Sequence, residues 1–174
     1  FSIDPINDGD NRIVDWRFVW QPKPDQLLEV PTADTGIDDW QTSPQDYPRF
    51  LGRGYWAEVP DVQLEVDWDT HPPQQMWRQP IGAGWSAFAI VGNYAFTQEQ
   101  RGELELVVCY RVTTGEVVWT HADEARFDPV TLGGGFGGLG PRATPTVHNE
   151  RVLTQGATGI VNCLDARTGD VIWS

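Results

Sequence analysis

The second half of the chain alternates in short bursts. After the glycine-rich "IGAG" come "SAFAIVG", "YAFTQ" and "ELELVVCYRV", then a polar "TTGE" and the apolar "VVWTH". The sequence then runs "ATPTVHN", "RVLTQ", "GIVNCLDA", "RTGD" and "VIWS". Each burst is four to ten residues rich in β-branched and aromatic side chains, and Gly, Asn, Asp and Thr separate the bursts. That is the pattern of short strands joined by tight turns, and it predicts two antiparallel meanders and an all-β fold.

The two meanders end in the same twelve positions. "CYRVTTGEVVWT" at 109–120 and "CLDARTGDVIWS" at 163–174 share Cys, Thr, Gly, Val and Trp. Val118/Ile172, Glu116/Asp170 and Thr120/Ser174 are conservative exchanges. The offset is 54 residues (163 minus 109), the period of a repeat whose units share a core. The match extends to Phe96-Thr97-Gln98 against Leu153-Thr154-Gln155, offset by 57, so the first unit carries three extra residues, which are expected in the loop "EQRGELE". Gly115 and Gly169 are expected to supply positive φ at a hairpin turn, with Thr114 and Thr168 bonding back to local backbone. Trp119 and Trp173 end the outer strands and offer flat surfaces to wedge against a next unit.

The first half differs. Residues 1–60 are rich in Pro, Asp, Gly and Gln and predict an extended, strand-poor arm, with strand-like alternation only in "RIVDWRFVWQP". There Val14, Trp16, Phe18 and Trp20 form an apolar face. Residues 61–84 read as a linker closing in a lone outer strand, "QQMWRQPIG", with Trp77 in the place of Trp119 and Trp173.

These residues resemble a known family. "CLDARTGDVIW" fits the tryptophan-docking motif Ala-x-Asp-x-x-Thr-Gly-x-x-x-Trp of the quinoprotein (PQQ-binding-like) β-propellers. Asp165, Thr168, Gly169 and Trp173 carry the match, with Cys163 in the Ala position. The first copy matches at Thr114, Gly115 and Trp119 and has Arg111 where the motif has Asp. Over residues 47–174 the arrangement is similar to the start of bacterial PQQ-like repeat proteins of unassigned activity. The resemblance implies four-stranded antiparallel blades, about six to eight to a ring. It places two full blades at 85–121 and 142–174, a glycine-rich connection at 122–141, and a latch strand at Trp77. It also implies an N-terminal fragment of a longer propeller, with the remaining blades of the polypeptide as its first partners. Such a fragment is expected to be marginally stable alone and to associate.

Charge removes some partners. With 25 acidic against 12 basic residues the net charge is −13, which excludes nucleic acid and anionic lipid as partners of a basic surface. No apolar run reaches the length of a membrane span. The chain opens at Phe1 rather than Met, and upstream sequence is expected to have been removed. Cys109 and Cys163 occupy the same repeat position and read as small buried hydrophobes, with no CxxC pair for zinc.

Recognisable catalytic patterns fail on context. Gly133–Gly138 satisfies GxGxxG, but "LGPRATPTV" follows where a dinucleotide site needs a helix. His71, His121 and His148 lack metal-ligand spacing, and Asp8/Asp10 and Asp67/Asp69 fall short of a calcium loop. No metal ligand is assigned. Under the resemblance, the starts of the inner strands border a channel mouth, which makes Trp85, Ser86, Phe88, Arg142, Thr144 and Thr146 binding candidates. Glu99 and Arg101 join them from the enlarged loop. Arg101 and Arg142 could hold a carboxylate bidentately, although an Arg–acid pair linking blades is the simpler reading.

The expected function is a non-catalytic, extracytoplasmic propeller, periplasmic or in the cell envelope, binding protein, peptide or glycan with no cofactor. The alternative from the same fold is a quinoprotein dehydrogenase oxidising an alcohol or sugar with PQQ and calcium on the axis. Fold alone does not establish that chemistry.

Overall fold

The computed structural model describes residues 3–7, 13–18, 20–33, 35–129 and 138–174. The described residues are all-β, with one 3-10 turn at Pro24–Leu27. A hairpin of β1 (Ile3–Asn7) and β2 (Ile13–Phe18) opens the chain. One four-stranded sheet follows, made of β3 (Ala89–Val91), β4 (Tyr94–Arg101), β5 (Leu104–Arg111) and β6 (Val117–Asp123). The second holds β7 (Thr146–His148), β8 (Arg151–Gln155), β9 (Val161–Asp165) and β10 (Val171–Trp173). In both, every strand pairs antiparallel with its sequence neighbour, so each is a meander.

Register explains the core. Ala89, Phe96, Cys109 and Trp119 stand in one cross-strand row, so their side chains share a face. Val147, Val152 and Leu164 form a row in the second sheet. The two rows meet in a single cluster with Tyr94, Val107, Val118 and Ala166, all buried. The arm adds Ile37 to it and sets Trp40 against Phe96, ring centroids 6.2 Å apart. The opposite face of the first sheet carries a smaller cluster of Ala95, Leu106, Val108 and Tyr110.

The repeated residues join units in space. The indole of Trp119 donates from Nε1 to the carbonyl of Ala166 at 2.9 Å and lies flat on Gly169. A Cβ on Gly169 would come within 2.6 Å of that ring. Trp77 does the same one unit earlier: Nε1 donates to Val112 O at 2.7 Å, and a Cβ on Gly115 would meet its ring at 2.5 Å. Val112 and Ala166, like Gly115 and Gly169, are 54 positions apart. Both glycines are left-handed, with φ of 74° and 79°. Thr114 and Thr168 share a task, each hydroxyl bonding the acid two residues on (Glu116 at 2.9 Å, Asp170 at 2.7 Å) and accepting its amide. In the second turn Asp165 Oδ1 also accepts the amides of Arg167 and Thr168. Arg111 cannot accept, and its guanidinium bonds the Tyr94 hydroxyl instead.

Three expectations are corrected. Ile3–Asn7 reads as loop in sequence yet pairs with β2, because a two-stranded ribbon tolerates Pro5 and Asp4. Glu99, Gln100 and Arg101 are in β4 rather than a loop: the three extra residues lengthen the hairpin, whose turn is only Gly102–Glu103. Residues 74–80 are docked through Trp77 but belong to no strand, since both sheets already hold four strands in order. The Gly133–Gly138 motif and the Asp8/Asp10 pair lie outside the described residues, except Gly138. Cys109 and Cys163 are free and buried, and burial pushes the Cys109 thiol up.

The arm covers exposed edges. Tyr47 bridges Ile90 of β3, and Pro48 O accepts the Val147 amide of β7, so residues 47–48 cap both inner strands. Thr35 donates to Val118 O and Ile37 to Arg167 O, binding the arm to both sheets.

Two glycines separate backbone strain from crowding. Gly102 has φ of 57° with nothing near its absent Cβ, whereas Gly169 combines left-handed φ with the Trp119 ring. Gly102→Ala is expected to cost about 1 kcal/mol and Gly169→Ala about 3 kcal/mol in urea unfolding. Equal costs would mean that the indole contact contributes nothing.

Candidate functional site

The inner ends of the two sheets meet through hydrogen bonds, which is why some of the expected site residues come together. Trp85 N donates to Pro141 O at 2.8 Å, Ala87 N to Thr144 Oγ1 at 3.2 Å, and Gln98 Nε2 to Ala143 O at 2.6 Å. Residues 83–88 run beside β4 before β3 begins, and Ala83 bridges Gln100. The register slips between Ala83 and Ala89, and Ser86 fills the slip. Its Oγ accepts the Gln98 amide and bonds Thr97 Oγ1, both at 3.3 Å. Trp85, Ser86 and Thr144 therefore lie together at one rim, with Trp85 63% exposed and Gly138 packed against its indole.

The remaining candidates go elsewhere. Phe88 turns to the other face of the first sheet, edge-on to Tyr110 with ring centroids 6.3 Å apart. Arg142 is exposed, lies 5.0 Å over the Phe127 ring and donates to Gly138 O. Thr146 is a half-buried residue of β7. Glu99 and Arg101 are buried and bonded to each other at 2.8 Å. Arg101 also donates to Glu29 O and Pro80 O, while Glu99 Oε2 accepts the Gly82 amide at 2.6 Å. Three of the pair's bonds tie the arm and the 80–82 segment to β4, and Glu99 Oε1 also accepts from the Tyr110 hydroxyl at 3.4 Å. Its role is fastening, and the pair lies within one sheet.

A second polar group sits between the sheets. Asn162 Nδ2 donates to Asp123 Oδ2 at 2.7 Å and lies 3.3 Å from His121 Nε2, while Asn162 Oδ1 is buried without a partner among the described residues. Beside it Glu105, opposite Asp123 across β5 and β6, is 3% exposed and accepts the Ala157 amide through both carboxylate oxygens. Desolvation first, and then the Asp123 charge, hold the Glu105 carboxyl above its usual range against that amide. No spacing in the sequence announces this group, because its members come from β5, β6, β9 and the 156–157 turn.

A cleft of about 450 Å³ opens at the other end of the inner strands, between the arm and the β7–β8 turn. Trp40, Pro48, Val91 and Val147 line it with apolar surface, and Arg49, Arg53 and His148 stand among its polar groups. Of these the sequence singled out only His148, and as a surface or turn residue. Arg49 and Arg53 sit in a stretch without periodicity, and only folding brings them beside β7.

Among the described residues no group of three or more His, Cys, Asp or Glu side chains is placed to share a metal ion. Among the described residues no helix is long and apolar enough to cross a membrane. No protein-family model matches the chain, and no curated protein matches it.

Because the folded state favours protonated Glu105, it binds more protons than the unfolded chain as pH rises through and above the ordinary carboxylate range. Its stabilising contribution is present at low pH and is lost as pH rises through the raised value. Glu105→Gln keeps an acceptor for Ala157 N and removes the titration. Thermal unfolding from pH 4 to 8 is expected to show the wild type losing stability relative to Glu105→Gln as pH rises. A constant difference across that range would contradict the assignment.

Proposed function

We propose that the two four-stranded sheets are neighbouring blades of a quinoprotein-type β-propeller. In this reading the propeller is a non-catalytic, extracytoplasmic binding or scaffold module for protein, peptide or glycan. The observation that carries it is the docking of Trp77 on the Gly115 turn and of Trp119 on the Gly169 turn, one unit apart. A single such contact could be an accident of packing, but two related by the repeat are an assembly rule.

The rule makes a third demand. Trp173 occupies the position of Trp119, and its row with Leu153 and Cys163 corresponds to Trp119, Phe96 and Cys109. In the first sheet that row is the inter-sheet core; in the second, Trp173 is 47% and Leu153 38% exposed. Val171 and Ile172 are exposed beside them. A further unit of the same polypeptide, with its own Thr-Gly turn, fits that face. The binding role draws on the rim at Trp85, Ser86 and Thr144, where an exposed indole stands among backbone-anchored polar groups. The extracytoplasmic setting rests on the family resemblance alone.

Two measurements test this. In the present chain Trp119→Ala is expected to cost about 3–5 kcal/mol and Trp173→Ala under 1 kcal/mol. In the polypeptide continued past Ser174 by its native sequence, Trp173→Ala should cost as much as Trp119→Ala; a Trp173 still dispensable there rejects the ring. The full polypeptide should also bind peptides or glycans on arrays and take up no PQQ with calcium. A cofactor spectrum with dye-linked alcohol oxidation would replace the scaffold reading by the dehydrogenase.

A further inference from the structure

The cleft beside the inner strands holds an arginine, Arg49, that no acid among the described residues pairs with. Its floor is Trp40, Pro48, Val91 and Val147, three of them at least nine-tenths buried and Trp40 partly so. Its polar wall is built from residues 46–55. Gly52 N bonds Arg49 O at 3.0 Å, and Leu51 and Tyr55 take left-handed φ of 62° and 61°, closing a tight turn.

The charges on that wall can be assigned one by one. Arg53 pairs with Asp46 at 3.0 Å, and Asp46 also accepts the amides of Ser43 and Gly92. Glu150, also in the lining, pairs with Arg167 at 2.9 Å. Arg49 has no carboxylate among the described residues. Its Nη1 donates to the Tyr55 hydroxyl at 2.6 Å, its guanidinium carbon stands 5.2 Å from the Tyr55 ring centre, and its Nε is buried without a partner. A buried unpaired donor calls for an explanation. Tyr55 accepts from Nη1, and Nη2 bonds no other described group, which leaves it as a donor for a carboxylate.

We propose that this cleft binds a small carboxylate with an apolar body, its anionic group on Arg49 and its body on the Trp40 floor. The volume of about 450 Å³ is that of a small-molecule site, and an apolar floor beside Arg49 suits a ligand with one charged and one apolar end. His148, exposed on the opposite wall, adds positive charge when protonated. The site lies wholly on residues 40–150 and stands whether or not further repeats complete a ring.

The test is calorimetric titration of the whole chain at low salt with 3-phenylpropionate and with its neutral amide. The acid is expected to bind saturably and about tenfold or more tighter than the amide, weakening with salt. Arg49→Gln should abolish that preference, and Arg49→Lys should retain part of it, because lysine keeps the charge without the fork. Where Arg49→Gln does not fold, the test is Arg49→Lys, whose preference should be smaller than that of the wild type. Arg78→Gln, remote from the cleft, should change nothing. Equal binding of acid and amide, absence of saturable heat up to about 10 mM acid, or undiminished binding by folded Arg49→Gln would each overturn the proposal.

Discussion

An indole lying on a glycine turn is the contact on which the arrangement of this chain depends. Trp119 closes the outer strand of one sheet, yet most of its surface is buried by the other, and its one polar atom is satisfied there by Ala166 O. Burial of so large a side chain is worth several kcal/mol, but area alone does not orient two sheets. Orientation comes from the missing Cβ of Gly169 and from the single hydrogen bond, which together fix the depth and angle of the ring. Packing of the Phe96 row on the Val152 row follows from that geometry.

A constraint of the opposite kind explains the arm. Two meanders leave inner edges with unpaired amides and carbonyls, and polar residues on β4 that could not be buried unaided. The arm answers both with backbone: Tyr47 and Pro48 take the edges, and Glu29 O receives Arg101. At the β4–β5 tip, Asp25 of the 3-10 turn meets Arg126 at 2.8 Å and accepts the Gly102 amide through its carbonyl, while Lys23 pairs with Asp128. A segment with few strands of its own is thus held at many points by polar groups, so its composition could look like a leader while its backbone is largely committed.

How much of this could be read from the sequence depends on the range over which the cause acts. The strands of the second half and their Thr-Gly turns were legible, because alternation, β-branching and positive φ are local demands. The pairing of Trp with turn was legible because it repeats. Glu99-Gln100-Arg101 misled, since three polar residues in a row look like a loop unless the Gly82 amide and the Glu29 and Pro80 carbonyls are known to wait beside them. Ile3–Asn7 misled because its partner, not its own composition, makes it a strand. Of the rim candidates, Trp85, Ser86 and Thr144 do share one place, whereas Phe88 faces Tyr110 and Arg142 lies on Phe127. The Arg49 cleft left no signal, because Trp40, Arg49, Val91 and Val147 come from four segments with no common spacing.

The two sheets differ most where the sequence makes them alike. Phe96, Cys109 and Trp119 recur as Leu153, Cys163 and Trp173, yet the first set is core and most of the second is surface. The first sheet is covered on both faces, by its neighbour on one and around Tyr110 by residues 77–88 on the other. The extended 77–88 segment presents Trp77 to the Gly115 turn as a full sheet presents Trp119 to the next. An unstranded segment can therefore supply the indole, but the receiving side needs a turn with glycine at its centre. Sequence similarity between the rows sets what each can bind, and position in the array decides whether it is bound. Trp173 has the residues of a donor, and among the described residues no glycine turn receives it.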